Sequence, residues 1–134
     1  MNKPEVRAKL IEAACAARQN AYAPYSRYKV GAALLGTDDR IYSGVNVENA
    51  SYGLTNCAER TAIFSMLTSG AHGIKALAVC TKNAVAPCGS CRQVISEFAG
   101  DEGDIPIYLA DTAGNVRETT LQALLPDRFG PTQL

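Results

Sequence analysis

Residues 57–99, CAERTAIFSMLTSGAHGIKALAVCTKNAVAPCGSCRQVISEFA, decide the fold. Ala58, Ala62, Ile63, Met66 and Leu67 recur at helical spacing from Cys57 to Ser69, and Gly70 stops the run. Ile74–Cys80 (IKALAVC) is mostly apolar and reads as a buried strand. Val94, Ile95 and Phe98 then share one face of a second helix from Cys91 to Ala99, ended by Gly100. A helix, a buried strand and another helix in succession point to a sheet with helical cover. A strand apolar on both faces needs that cover on each.

Downstream, Ile105–Leu109 reads as a strand, Val116–Thr119 as a short edge strand, and Leu121–Leu125 as a helical turn stopped by Pro126. Upstream, Val30–Leu35 and Ile41–Val45 flank the turn Gly36-Thr37-Asp38-Asp39 and predict a hairpin. Val6, Leu10, Ala13, Ala14 and Ala17 give a first helix from Pro4 to Gln19. Ala21–Lys29 and Asn46–Asn56 read as loops. The order α-β-β-α-β-α-β-β-α predicts a three-layer α/β/α sandwich around a mixed sheet of about five strands.

With 134 residues the chain is expected to form one domain, residues 1–134. No apolar run approaches the roughly 20 residues of a membrane span, and the start MNKPEVRAKL does not read as a signal peptide. Lys plus Arg equals Asp plus Glu at 13 each, whereas a nucleic-acid binder normally carries a basic excess. The expected partner is therefore a small neutral molecule, with no nucleic acid and no membrane.

The five cysteines carry the chemistry. An odd count without a secretion signal argues against a disulfide framework and for a reducing cytoplasm. Cys15 and Cys80 belong to no motif and read as core thiols. Cys57-Ala58-Glu59 and Pro87-Cys88-Gly89-Ser90-Cys91 each fall where a helix begins. Three thiols are too few for a closed structural zinc site and match a catalytic one with an open position. A carboxylate two residues after the first ligand can lie beside a metal-activated water and carry its proton. Three-ligand zinc with a non-ligating Glu is the known layout of the zinc deaminases.

The likeness extends beyond that layout. Cys57-Ala58-Glu59-Arg60-Thr61-Ala62, Pro87-Cys88-Gly89-Ser90-Cys91-Arg92-Gln93, Asn46-Val47-Glu48-Asn49, Tyr25-Ser26 with Val30-Gly31-Ala32-Ala33, and Leu124-Leu125-Pro126 stand in this order. Together they resemble the small homotetrameric cytidine deaminases from about residue 20 to residue 130. The resemblance implies hydrolytic deamination of cytidine and 2′-deoxycytidine, with one zinc per subunit on Cys57, Cys88 and Cys91. It makes Glu59 the proton shuttle and Arg60 the hydrogen-bond partner of the ligand sulfurs. It gives Asn46 and Glu48 the ribose, the Ala58 N–H the pyrimidine carbonyl, and the Ala86 carbonyl the exocyclic amine. Tyr28, where the family more often has Phe, would wall the base. Phe129 would stack on the pyrimidine in a neighbouring subunit's site, which implies a homotetramer with shared active sites.

Cys88-Gly89-Ser90-Cys91 alone also suits a thiol–disulfide oxidoreductase, but that reading leaves Cys57-Ala58-Glu59 unexplained. A zinc-stabilised interaction module would need a fourth ligand, and none lies near in sequence. Within the deaminases, blasticidin S or another aminopyrimidine nucleoside is the alternative substrate. The Asn46-x-Glu48 pair favours cytidine.

Overall fold

The computed structural model describes residues 1–99 and 103–134. Helix α1 spans Lys3–Arg18. Asn2 caps it, its side-chain oxygen accepting from Glu5 N at 2.9 Å, and Pro4 stands in the first turn, where a missing N–H costs no hydrogen bond. Strands β1 (Gly31–Gly36) and β2 (Ile41–Val45) form the hairpin, pairing Leu35 with Ile41 and Gly31 with Val45. Helix α2 (Ala58–Thr68), strand β3 (Ile74–Cys80) and helix α3 (Gly89–Phe98) follow. Strands β4 (Pro106–Ala110) and β5 (Val116–Thr120) and the short helix α4 (Leu121–Leu124) come next. Single 3-10 turns at Tyr52–Leu54 and Pro131–Gln133 are additions to the expected order. Helix α3 begins two residues before its expected start. Gly100, its expected stop, lies outside the described residues.

The five strands lie in the order β2-β1-β3-β4-β5. Among the strands of the described residues only β3 and β4 run parallel, with α3 as their crossover; the other pairs are antiparallel. Side chains alternate between two cores. Ala32, Leu34, Leu77, Val79, Ile107 and Leu109 face α2 and α3, meeting Ala62, Ile63, Met66 and Ile95. Ala33, Leu35, Ala76, Ala78, Cys80, Tyr108 and Ala110 face α1 and meet Leu10 and Ala14. The sheet thus carries helices on both faces, as the alternation of elements requires.

Two glycines allow the helices to approach closely. A Cβ on Gly31 would run into Ala14 O and the Arg18 backbone of α1. One on Gly44 would lie 2.7 Å from Ala58 O and 2.8 Å from the Thr61 side chain, driving back the start of α2. The second contact sets where Cys57, Ala58 and Glu59 stand.

One expectation is corrected. Cys15 and Cys80, read from sequence as separate core thiols, are joined by a disulfide with a Cα–Cα distance of 5.2 Å. They are 65 positions apart in sequence. The pairing arises because α1 packs on the β3 face that Cys80 shares with Leu10 and Ala14. No helix among the described residues is long and apolar enough to cross a membrane.

Candidate metal centre and active site

Cys57 is the N-cap of α2 and Cys88 the N-cap of α3. Neither side chain makes a capping hydrogen bond, which leaves both sulfurs available. Cys91, one turn into α3, is fully buried. The two helix starts therefore converge, and the three sulfurs lie within 4.8 Å of one another. The Cys57 and Cys88 sulfurs are 3.9 Å apart. Sulfurs bound tetrahedrally to one zinc at about 2.3 Å sit roughly 3.8 Å apart. The donor set and its spacing fit zinc, with three protein ligands and one position open.

The electrostatics favour thiolate. The Cys91 thiol hydrogen-bonds Cys57, and the Arg60 guanidinium adds to this, holding the Cys57 pKa down to about 5 despite partial burial. Arg60 Nη2 donates to Cys57 Sγ at 3.0 Å. Cys91 is pushed the other way, first by that bond to Cys57 and then by burial. A metal bound here would hold the sulfurs as thiolates and displace the thiol protons that remain. The positive ends of α2 and α3 add further stabilisation of negative sulfur. Arg60 is pushed above its usual range, chiefly by the Cys57 bond, and its Nε is a buried donor with no partner among the described residues. It is held against the cluster rather than in solvent.

Glu59 is 4 % exposed. Burial is the main cause that raises its pKa to about 7, and the Cys57 charge adds to the rise. Near neutral pH such a carboxyl both accepts and releases a proton readily, as an acid–base group should.

A cavity of about 310 Å³ opens above this floor. Cys57, Ala58, Glu59, Cys88, Tyr28, Asn46, Glu48 and Ala86 are among the residues that line it. The structure therefore gathers eight of the expected residues around one space. Cys91 lies behind that wall. Ala58 is the first residue of α2, so its N–H has no acceptor within the helix.

Asn46 and Glu48 are tightly held. Asn46 Nδ2 donates to Tyr28 O at 2.8 Å, and its Oδ1 accepts from Val30 N at 2.9 Å. One Glu48 oxygen accepts from Tyr25 N and Ser26 N at 2.9 and 3.1 Å; the other accepts from Ser26 Oγ. The Ser26 hydroxyl is the main cause that lowers the Glu48 pKa, keeping it ionised. A carboxylate has about four acceptor sites and an amide four in all. Each side chain thus fastens the 25–30 loop and retains capacity for a ligand.

Phe129 is not brought into the cavity. It is 58 % exposed, and its carbonyl accepts from Gln93 Nε2 at 2.9 Å. The sequence also gave no clear role for Arg92. It donates to Pro87 O at 2.7 Å and Leu124 O at 2.8 Å, tying the turn before α3 to the end of α4. No local signal reveals it, because one acceptor lies 32 residues away.

Residues 4–103 match the family model described as the cytidine and deoxycytidylate deaminase zinc-binding region. A cytidine deaminase from Sporosarcina psychrophila is 50 % identical over 128 residues, covering 94 % of this chain and 93 % of its own length. The crystal structure of cytidine deaminase from Burkholderia pseudomallei superposes with a TM-score of 0.85 at 48 % identity, covering 96 % of this chain and all of its own. That of Mycobacterium leprae cytidine deaminase gives 0.76 at 41 %, covering 90 % and 97 %.

Proposed function

Because the chain belongs to the cytidine and deoxycytidylate deaminase zinc-binding family, we propose that its cavity hydrolyses free cytidine and 2′-deoxycytidine to uridine or 2′-deoxyuridine and ammonia. The observation that carries this reading is the buried Glu59 beside three converging sulfurs at the cavity floor. Bound by Cys57, Cys88 and Cys91, one zinc per chain supplies an open position that brings the pKa of a water toward neutrality.

This chain's own residues do the rest. The Glu59 carboxylate takes a proton from the attacking water and delivers it to pyrimidine N3. Glu59 then takes the remaining proton from the C4 hydroxyl and hands it to the exocyclic nitrogen, so that the C4–N bond breaks, ammonia leaves and the C4 carbonyl forms. The Ala58 N–H, at the positive end of α2, donates to the pyrimidine carbonyl. The Ala86 carbonyl accepts from the exocyclic amine and turns that group toward Glu59. The Tyr28 ring flanks the base and excludes water. Arg60 restrains Cys57, offsetting part of the negative charge that three thiolates concentrate.

Asn46 and Glu48 hold the sugar with the bonding capacity their loop contacts leave. The ionised Glu48 repels phosphate, which makes the free nucleoside the preferred substrate over a nucleotide. Cytidine monophosphate should show a kcat/KM lower than that of cytidine by at least about tenfold. Ultraviolet absorbance loss on the two compounds measures this. Equal kcat/KM for the monophosphate would overturn the nucleoside assignment.

We further propose a homotetramer, in which Phe129 of one copy closes the site of another. Its exposure, together with that of Tyr52 and Phe64, supports an assembly that covers these rings. Phe129→Ala should raise the cytidine KM several-fold, in keeping with about 1 kcal/mol for a lost stacking contact, with zinc retained. Mixing Phe129→Ala subunits with Glu59→Ala subunits should restore a high-affinity component absent from either parent. Only low-affinity turnover, after verified mixing, would place Phe129 outside the shared site. The cytoplasm is the proposed compartment; there a disulfide such as Cys15–Cys80 is the exception.

A further inference from the structure

The Tyr28 hydroxyl is held by a side chain distant in sequence. It donates to Asn83 Oδ1 at 2.5 Å, across 55 residues of sequence. Asn83 lies in the segment between β3 and α3, three residues before Ala86 and five before Cys88. This segment departs from regular structure. Ala84 adopts a left-handed φ of 55°, unfavourable for a residue with a Cβ. Val85 N donates to Thr81 Oγ1 at 3.2 Å, folding the loop back on itself. The Lys82 ammonium sits 5.4 Å from the centre of the Tyr28 ring.

Tyr28 is held at its other end too. Its carbonyl accepts from Asn46 Nδ2 at 2.8 Å, and its N–H donates to Ser26 Oγ at 3.0 Å. Ser26 in turn holds Glu48. A single chain of bonds therefore runs from Glu48 through Ser26 and Tyr28 to Asn83, spanning the cavity from the sugar residues to the loop that carries Ala86. Both Tyr28 and Ala86 line the same 310 Å³ space.

We infer that Asn83 is a positioning residue: through the Tyr28 hydroxyl it fixes the aromatic wall against the base and seats the 81–87 loop, so that the Ala86 carbonyl meets the exocyclic amine. The inference rests on the cytidine deaminase reading of the cavity. Asn83 touches no reacting atom. It acts by reducing the freedom of the ring and loop before substrate arrives, so its loss weakens substrate and transition state alike. That signature is a higher KM at constant kcat.

The test uses cytidine and the zinc-loaded protein. Asn83→Ala and Tyr28→Phe should each raise KM by about 3- to 10-fold, the range of one ordinary hydrogen bond, with kcat within about twofold. The double variant should be no worse than either single one, because both remove the same bond. Asn83→Asp keeps an acceptor and should recover most of the affinity. Uridine binding by calorimetry should weaken too, independently of turnover, through the looser Tyr28 ring alone, because uridine has no exocyclic amine for the Ala86 carbonyl. Additive effects in the double variant, an unchanged KM in Asn83→Ala, or a fall in kcat alone would overturn the inference. A wild-type protein that binds uridine yet fails to turn over cytidine would instead overturn the functional reading, with uridine affinities across the variants still deciding the role of Asn83.

Discussion

Glu59→Gln should keep zinc and the fold while lowering kcat on cytidine by about 10⁴-fold or more. Glutamine matches the carboxyl in size, so the buried space at the start of α2 stays filled. It cannot accept and release a proton. General acid–base catalysis contributes about 10²- to 10⁴-fold for one positioned group. In the proposed mechanism the same group serves the attack, the protonation of N3 and the departure of ammonia, which places the expected loss at the upper end. Its elevated pKa, caused first by burial, equips Glu59 for transfers in both directions near neutral pH. Steady-state kinetics with zinc measured on the same sample provide the check. A variant within about tenfold of wild type would mean that another group carries the proton.

Cys91→Ala should reduce zinc from one per chain toward none and abolish turnover together with it. Cys91 is the buried member of the three-sulfur cluster, and two thiolates do not make a catalytic zinc site. Cys88→Ala should behave alike, although Cys88 lies at the exposed edge of the site. Its small cost in packing separates loss of the ligand from loss of the fold. Elemental analysis and a thermal melt of both variants report these quantities. Zinc retained at one per chain in either variant would contradict the ligand assignment.

Local chemistry made much of this legible in sequence. The strands Ile41–Val45 and Ile74–Cys80 appear where the pattern places them, because a turn and a short apolar run specify them without help from distant residues. Helix α3 begins earlier, at Gly89, directly after the extended backbone of Cys88, and glycine's weak helix propensity hides that start in the sequence. Cys57, Glu59, Cys88 and Cys91 stood out through motif spacing and resemblance, and the structure brings the three sulfurs together and buries Glu59. Where the role of a residue depends on chain crossings, sequence was silent. Cys15 meets Cys80 only because α1 crosses β3. Asn83 takes its partner 55 residues away, and Arg92 one of its acceptors 32 residues away. Asn46 and Glu48 were legible as cavity residues, but their double duty in holding the 25–30 loop was not.

The most direct measurement of the central claim is zinc content and cytidine turnover on one preparation, followed through chelation and zinc restoration. One zinc per chain, loss of absorbance change after chelation, and its return with zinc are the predicted results. Full turnover by metal-free protein, or a fully zinc-loaded protein that leaves cytidine unchanged, would contradict the account.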